Sequence, residues 1–243
     1  MTARSEILAD LSARIRQLER ARIRSVRDAV VSSAPAVGLR RLLPDVMSLR
    51  GGLIEWLSDV NGAGGTSLAV LASQSAVEND LWVFVDGQRQ LHAAGFGPLA
   101  LDLRRMVLVR PERPTDVLWA AEQALRTRGV GAVVCEVDRL SSASFRRLQL
   151  AAETGGSLGI LLRPERVRHQ PSWAEYRLLV RPLPMAGPPN VSHPRRRLLI
   201  ELLRARRGFS TESIIVELDD ADGRVCLAAE LASATTAARA AGA

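Results

Sequence analysis

Lysine is absent from this chain, and all 33 of its lysine-or-arginine residues are arginine. Many phosphate-binding loops use a lysine side chain to neutralise the phosphates. Because this chain has no lysine, none of its loops binds phosphate in that way. The formal net charge of +7 suits an anionic partner such as nucleic acid. A solvated arginine-rich surface explains the same charge, so composition alone leaves both interpretations open.

Cysteine and aromatic residues are also scarce. Aromatic residues make up 4% of the chain and hydrophobic residues 47%, so the core must consist mainly of leucine, valine, isoleucine and alanine. The two cysteines, Cys135 and Cys226, are too few for a disulfide framework and lack the paired spacing of a zinc site. Cys135 lies in an apolar run, which predicts a small core residue.

No apolar run reaches the length of a transmembrane helix. Arg4, Arg14 and Arg16 interrupt the N-terminal region, where a signal peptide would be apolar. We therefore expect a cytoplasmic protein without membrane contact, and no residue pattern predicts a metal or another cofactor.

Short apolar runs alternate with amphipathic stretches from Leu53 to Leu183. The apolar runs predict strands at 53–57, 81–86, the end of 101–111, 130–138, 157–164 and 176–183. Helices are predicted between them at 66–77, at 115–129 with Thr115 as the N-cap, and at 142–156. Continuous apolar strands are typical of a parallel sheet covered on both faces, so the pattern predicts an α/β fold with a mostly parallel sheet flanked by helices.

The flanking segments differ from this core. We predict an N-terminal helical arm over 1–38, the core over 39–184, a C-terminal β-hairpin region over 185–231, and a disordered tail over 232–243. In the hairpin region, DDADG is a turn signal between two strand-like runs. The arm is either a lid on the core or a docking element for a partner. Its apolar stripe contains Leu8, Leu11, Ile15 and Leu18.

A glycine-rich stretch, DVNGAGGTSLAVL, lies between the first predicted strand and helix. A phosphate-binding loop in this place follows G-x-x-x-x-G-K-[ST], in which the glycines wrap the phosphates, the lysine neutralises them and the hydroxyl holds magnesium. Gly64 fits the second glycine and Thr66 the hydroxyl, but Asp59 stands at the first glycine and Gly65 at the lysine. The stretch is either a turn that caps the next helix or a weak nucleotide site. The loop residues of such a site are Gly62, Gly64, Gly65, Thr66 and Ser67.

The chain beyond this loop resembles the core of the RecA recombinase family. VFVDGQRQL (83–91) is similar to the segment that carries that family's catalytic glutamate, and Gln88 stands at the matching position. VGAVVCEVDRL (130–140) is similar to the second acidic strand, with Glu136 where an aspartate would help to hold magnesium. ILLRP (160–164) is similar to the strand that ends in a sensor of the γ-phosphate, and Arg163 is the nearest match.

The resemblance implies that ATP hydrolysis is lost. A neutral amide at Gln88 hydrogen-bonds water but does not take its proton. Gly65, Gln88 and Glu136 all depart from groups that hydrolysis needs in concert. We therefore predict that the chain is not an enzyme.

Longer runs resemble the ImuA family, the RecA-like accessory proteins of bacterial mutasome cassettes. They are LALDLRRMVLVRPERPTDVLWAAEQALRTRGVGAVV and SFRRLQLAAETGGSLGILLRP, and RRRLLIELLRARRG before SIIVELDD is also similar. Members of that family work with ImuB, a catalytically impaired Y-family polymerase relative, and with an error-prone replicative-type DNA polymerase. Together they copy past damaged DNA in the SOS response.

The resemblance implies an adaptor that binds RecA, an ImuB-type polymerase relative, or both. The replicative-type polymerase would be an indirect partner, and DNA a further candidate. Because RecA subunits join through an N-terminal segment, the 5–32 helix is the predicted docking element. Two other functions stay open: a weak ATPase activated by a partner, and a cell-division inhibitor of the SulA type, which shares the RecA-like fold.

Two further groups of residues are candidates for contact with DNA or a partner. In and near the segment ERVRHQPSWAE, aromatic and arginine side chains interleave, which suits base stacking or a protein interface. A basic cluster surrounds the apolar run after residue 194, where the alternation of Leu198, Ile200 and Leu202 predicts an edge strand. The candidates are Arg163, Arg166, Arg168, Trp173, Tyr176, Arg195, Arg196, Arg197, Arg204, Arg206 and Arg207.

Overall fold

The structure is a computed structural model that describes Leu43 and residues 49–59, 64–77, 80–97, 99, 101–184, 195–206, 213–219 and 225–227. The predicted arm with Leu8, Leu11, Ile15 and Leu18 lies outside the described residues, as do Gly62, Arg207 and the predicted tail.

The described residues alternate strand and helix as far as Pro164, with short 3-10 helices at Ala93–Phe96, Leu103–Arg105 and Glu165–Val167. After Val167 their regular elements are strands. The helices are α1 (Gly65–Val77), α2 (Asp116–Arg126) and α3 (Ser142–Gly155). The strands are β1 (Leu53–Ser58), β2 (Leu81–Val85), β3 (Met106–Val109), β4 (Val130–Glu136), β5 (Leu158–Pro164), β6 (Tyr176–Leu183), β7 (Arg195–Ala205), β8 (Ser213–Asp219) and β9 (Val225–Leu227).

All of these strands belong to one sheet with the order β3-β2-β4-β5-β1-β6-β7-β8-β9. The pairings from β3 to β6 are parallel, and those from β6 to β9 are antiparallel. The predicted α/β fold with a mostly parallel sheet and a C-terminal antiparallel hairpin is confirmed. Strands on both sides of residue 185 therefore pair within the same sheet.

The prediction of an edge strand at Leu198, Ile200 and Leu202 is wrong in one respect. Their alternation is real, and all three side chains are buried. However, β7 is paired on one side with β6 and on the other with β8. Alternation reports which face of a strand is buried and carries no information about whether its edges are paired.

Helices cover both faces of the parallel part of the sheet, as its continuous apolar strands predicted. Trp56 and Phe84 pack on one face in a cluster that includes Leu68 of α1. Cys135 packs on the other face in a cluster that includes Phe145 of α3, and its 1% exposure confirms it as a core residue. No helix among the described residues is long and apolar enough to cross a membrane.

The ends of the helices are set by local residues. Ser141 caps α3, because its hydroxyl accepts a hydrogen bond from Ser144 N at 3.1 Å, and Gly156 ends that helix at φ +70°. Thr115 does not cap α2 as predicted: its backbone is already helical, and its hydroxyl hydrogen-bonds Asp116 Oδ1 at 3.3 Å. An N-cap needs an extended backbone to direct its oxygen at the first helical N–H groups.

Candidate functional site

A cavity of about 430 Å³ opens at the carboxyl ends of β1, β2, β4 and β5. Ligand sites of open α/β sheets lie at these ends, where the loops converge. The cavity brings together most residues that the glycine loop and the RecA resemblance predicted for a nucleotide site. Those that line it are Gly64, Gly65, Thr66, Ser67, Gln88 and Glu136.

The glycine loop enters α1 through a left-handed residue. Gly64 has φ +88°, and its carbonyl oxygen accepts the hydrogen bond of Leu68 N at 2.9 Å, so the helix begins directly after it. Gly65, at the lysine position of the pattern, has no side chain to offer. The cavity therefore keeps the helix N-terminus and the Thr66 hydroxyl of a phosphate site, but the loop supplies no cation.

Strand β7 packs against this loop from the antiparallel side of the sheet. A Cβ atom on Gly64 would lie 2.9 Å from Leu198 Cδ1 and 3.3 Å from Arg196 Nη1. Arg196 also lines the cavity, so the fold places a guanidinium beside the loop that lacks its lysine. Sequence patterns missed this neighbour because β7 lies far along the chain from the loop.

The carboxylate of Asp86 holds the loop that follows β2 by accepting hydrogen bonds from it. This carboxylate is 5% exposed and accepts hydrogen bonds from Gln90 N at 3.0 Å, Leu91 N at 3.1 Å and Arg110 Nε at 3.1 Å. Gln88, at the position of the catalytic glutamate in the RecA resemblance, is exposed at the cavity. The loop is thus held by Asp86 and presents a neutral amide.

Further carboxyl groups make the cavity a poor host for added negative charge. Burial, and then the charge of Asp86, raise the pKa of the half-buried Glu136. Burial, and then Glu136, raise the pKa of the Cys135 thiol to about 12, so Cys135 is no nucleophile at neutral pH. Asp138 is held in an ion pair by Arg166. Among the described residues, no three histidine, cysteine, aspartate or glutamate side chains group closely enough to hold a metal.

Arg163 belongs to a buried ionic cluster centred on Glu55. Its Nη1 donates to Glu55 Oε1 at 2.6 Å and its Nη2 to Gln170 Oε1 at 3.1 Å. The other oxygen of Glu55 accepts from Arg177 Nε at 2.7 Å and from the Ser172 hydroxyl at 2.5 Å. We call Glu55, Arg163, Ser172 and Arg177 the Glu55 cluster. Its other members donate hydrogen bonds to both oxygens of the Glu55 carboxylate, which is 0% exposed.

Sequence reasoning missed Glu55, although a signal exists. It is an acid in the middle of the apolar run LIEWL, where a buried charge needs a partner. Arg163, the nearest match to a γ-phosphate sensor, is 3% exposed and bonded to this partner. Tyr176, also predicted for contact, is 8% exposed and packs in the core. Both residues therefore present little surface to DNA or a protein.

Trp173 differs from these buried neighbours. It is 39% exposed, and Arg146 of α3 stacks over its ring at 6.0 Å from the centroid. Arg166 and Arg168 are also exposed, but each is paired with an acid, Arg166 with Asp138 and Arg168 with Glu165 at 3.4 Å. Trp173 is therefore the predicted contact residue in this segment that exposes a large apolar side chain.

The arginines of the basic cluster are divided among three surroundings. Arg196 lines the cavity, and Arg204 donates to the Ser172 carbonyl. Arg207 lies outside the described residues. The remaining three pair with acids: Arg195 with Asp219 at 3.4 Å, Arg197 with Glu217 at 3.6 Å, and Arg206 with Glu175 at 2.9 Å. The predicted cluster is thus not one uniform basic patch.

Comparison with known proteins supports the resemblance to ImuA. No protein-family model matches the chain. The chain is similar to Protein ImuA from two strains of Caulobacter vibrioides, with 32% identity over 140 residues in each case. The match covers 52% of this chain and 56% of each relative, so the chain spans about half the length of the curated relatives it matches. The predicted resemblance to ImuA is confirmed over that extent.

Proposed function

We propose that this ImuA-like chain is a non-catalytic adaptor in SOS-induced, error-prone translesion DNA synthesis. It binds RecA, an ImuB-type polymerase relative, or both, in the cytoplasm. The observation that carries the proposal is the cavity at the carboxyl ends of the strands. It retains the helix N-terminus and the Thr66 hydroxyl of a phosphate site, but Gly65 and Gln88 stand where the lysine and the catalytic glutamate would be. The similarity to Protein ImuA supports the mutasome context.

The chemistry of the cavity argues against ATP hydrolysis. Hydrolysis needs a cation on the β and γ phosphates, a magnesium ligand and a group that activates water. Gly65 supplies no cation, and Gln88 does not take a proton from water. Glu136 already has a raised pKa, because of burial and the charge of Asp86. A triphosphate would bring still more negative charge to the same place.

The test combines two measurements on the purified full chain. ATP turnover is measured for the chain alone and after mixing with RecA, with the polymerase relative, and with both. Binding of the chain to each partner is measured in parallel by calorimetry. We expect no turnover above that of the partners alone, together with binding to at least one of them. Binding to neither would contradict the adaptor proposal.

A partner-activated ATPase is the second candidate, and one observation favours it. Arg196 lies beside Gly64, where a guanidinium can take the place of the missing lysine. In that case turnover appears when a partner is added, is lost in Arg196→Gln and is retained in Arg195→Gln. Arg195 is the matched control because it is the adjacent arginine on the same strand and is not among the residues that line the cavity. That result would replace the adaptor proposal.

A further inference from the structure

The 165–175 segment is a loop whose backbone is held from within the protein. Arg177 Nη1 donates to the carbonyl oxygens of Arg168 and Gln170, each at 2.8 Å. Arg204 Nη1 donates to the carbonyl oxygen of Ser172. Arg177 Nη2 also donates to the carbonyl oxygen of Val167 at 3.3 Å. Four backbone carbonyls are thus fixed by guanidinium groups, three of them by Arg177, whose side chain is buried in the Glu55 cluster. A side chain displayed on such a loop loses little backbone freedom when a partner binds.

Trp173 is the side chain that this loop displays. Its neighbours Ser172 and Ala174 are 7% and 0% exposed, whereas Trp173 is 39% exposed. The loop is therefore anchored on both sides of an indole that points outward. Exposed tryptophan on a preformed loop is typical of an interface hot spot.

Helix α3 extends this surface beside the indole. Arg146 stacks over the Trp173 ring, and Leu150, one helical turn further, is 41% exposed. Arg147 is also exposed and pairs with Glu122, which is itself 5% exposed. With Glu153 as the one exposed acid of α3, the exposed side chains of the helix carry a positive balance. A positive surface complements an acidic partner.

We propose that Trp173, Arg146 and Leu150 form a docking surface for an acidic segment of a partner protein. An apolar side chain of that segment packs against Trp173 and Leu150, and a carboxylate pairs with Arg146. This inference rests on the proposed function, because it names the chemistry by which the adaptor recognises its partner. It goes beyond that function by placing the contact on α3 and the 165–175 loop.

A protein fits this surface better than single-stranded DNA does. Single-stranded nucleic acid is bound by successive aromatic rings on which bases stack. Here Tyr176, the next aromatic residue along the chain, is 8% exposed, and the exposed apolar residue of α3 one turn from Arg146 is the aliphatic Leu150. One exposed ring, with an exposed leucine on the helix that carries Arg146, suits an apolar protein side chain.

The experiment compares four variants of the full chain for binding to purified RecA and to the purified polymerase relative. Trp173→Ala removes the exposed indole. Arg146→Glu reverses the charge of the side chain that stacks over it. Trp119→Ala and Arg113→Glu are the matched controls, since Trp119 is 61% exposed on α2 and Arg113 is exposed before that helix. Circular dichroism and thermal unfolding establish that each variant is folded.

We expect the dissociation constant for one partner to rise about tenfold or more in both test variants. Both controls should stay within about twofold of wild type. If wild type binds a partner and the test variants bind it equally well, the docking surface is wrong and the adaptor function stands. If wild type binds neither partner, the proposed function fails, and this surface fails with it. A loss of binding to a single-stranded oligonucleotide, with protein binding unchanged, would assign the surface to DNA and overturn the inference.

Discussion

Gly64 meets two separate demands at one position, a positive φ and a close approach of β7. Replacing it with alanine forces a side chain into left-handed backbone and brings its Cβ to 2.9 Å from Leu198 Cδ1. We expect Gly64→Ala to lower the free energy of unfolding by about 1–3 kcal/mol, measured by urea denaturation. Gly95→Ala is the control, because a Cβ atom there meets nothing within 4 Å. Equal stability of the two variants would contradict this account.

Glu136 gives the stability of the chain a defined dependence on pH. Burial, and then the charge of Asp86, raise the pKa of Glu136 above its ordinary value of 4.5. Below that value the group is protonated in both folded and unfolded chains. As the pH rises through the folded pKa, the folded chain must ionise a half-buried carboxyl group, and stability is lost. Glu136→Gln should therefore stabilise the chain at pH 7, and this gain should disappear as the pH falls below the ordinary pKa of 4.5.

Glu165 is the matched contrast for this measurement. The hydrogen bond from Arg181 lowers the pKa of Glu165, so its contribution is present at neutral pH and is lost as the pH falls. Glu165→Gln should lower the urea midpoint at pH 7, which is the opposite sign from Glu136→Gln. The same sign for both variants at pH 7 would refute the electrostatic interpretation of the cavity.

At the scale of residues, local patterns located the cavity but not the partners of its side chains. Gly64, Gly65 and Thr66 follow a strand and begin a helix, and that local order is readable from the sequence. The partnership of Arg163 with Glu55 is not readable, because it depends on which strands become neighbours. The closeness of Arg196 to the glycine loop is hidden for the same reason.

The Glu55 cluster joins three neighbouring strands, β5, β1 and β6, and the loop after β5. Glu55→Gln would leave the guanidinium groups of Arg163 and Arg177 buried without their anion. Breaking a buried pair in this way costs about 3–5 kcal/mol, because the remaining charge is uncompensated. We expect a loss of that size in urea denaturation, with Glu153→Gln as the exposed control. A loss no greater than in the control would mean that the cluster contributes little to stability.

At the scale of elements, hydrophobic periodicity predicted where strands and helices lie. It did not predict which strands have an unpaired edge. The strands and helices from β1 to β6 follow the predicted ranges within a few residues. β7 was correctly predicted as an alternating strand, but the sequence pattern did not show that β8 covers its outer edge. The prediction that Thr115 caps α2 is wrong because the residue type at a position does not fix its backbone angles.

At the scale of the whole molecule, the role of the N-terminal arm is open to a direct test. Its apolar stripe of Leu8, Leu11, Ile15 and Leu18 is the predicted docking element for a partner. We expect deletion of residues 1–35 to abolish binding to RecA or to the polymerase relative and to leave the core folded. Calorimetric binding and circular dichroism measure the two outcomes. Unchanged affinity in the deletion variant would exclude the arm and direct attention to Trp173.

The fold class was predictable because alternating strands and helices admit few arrangements. The functional context came from the resemblance of several sequence runs to the ImuA family. Sequence similarity to Protein ImuA over about half of the chain supports it. What the sequence left open is the three-dimensional surface, because Trp173 and Arg146 come from separate elements and meet only after the sheet has formed.

The position of Glu55 also has a consequence for folding kinetics. Its partners lie 108, 117 and 122 residues away along the chain, so these contacts close large loops and are slow to form. A slip of β1 by one residue would turn Glu55 to the opposite face of the sheet, among the apolar side chains packed on α1. Misregistered intermediates would then carry an unpaired buried charge. The carboxylate of Glu55 therefore disfavours a one-residue slip of β1 during folding.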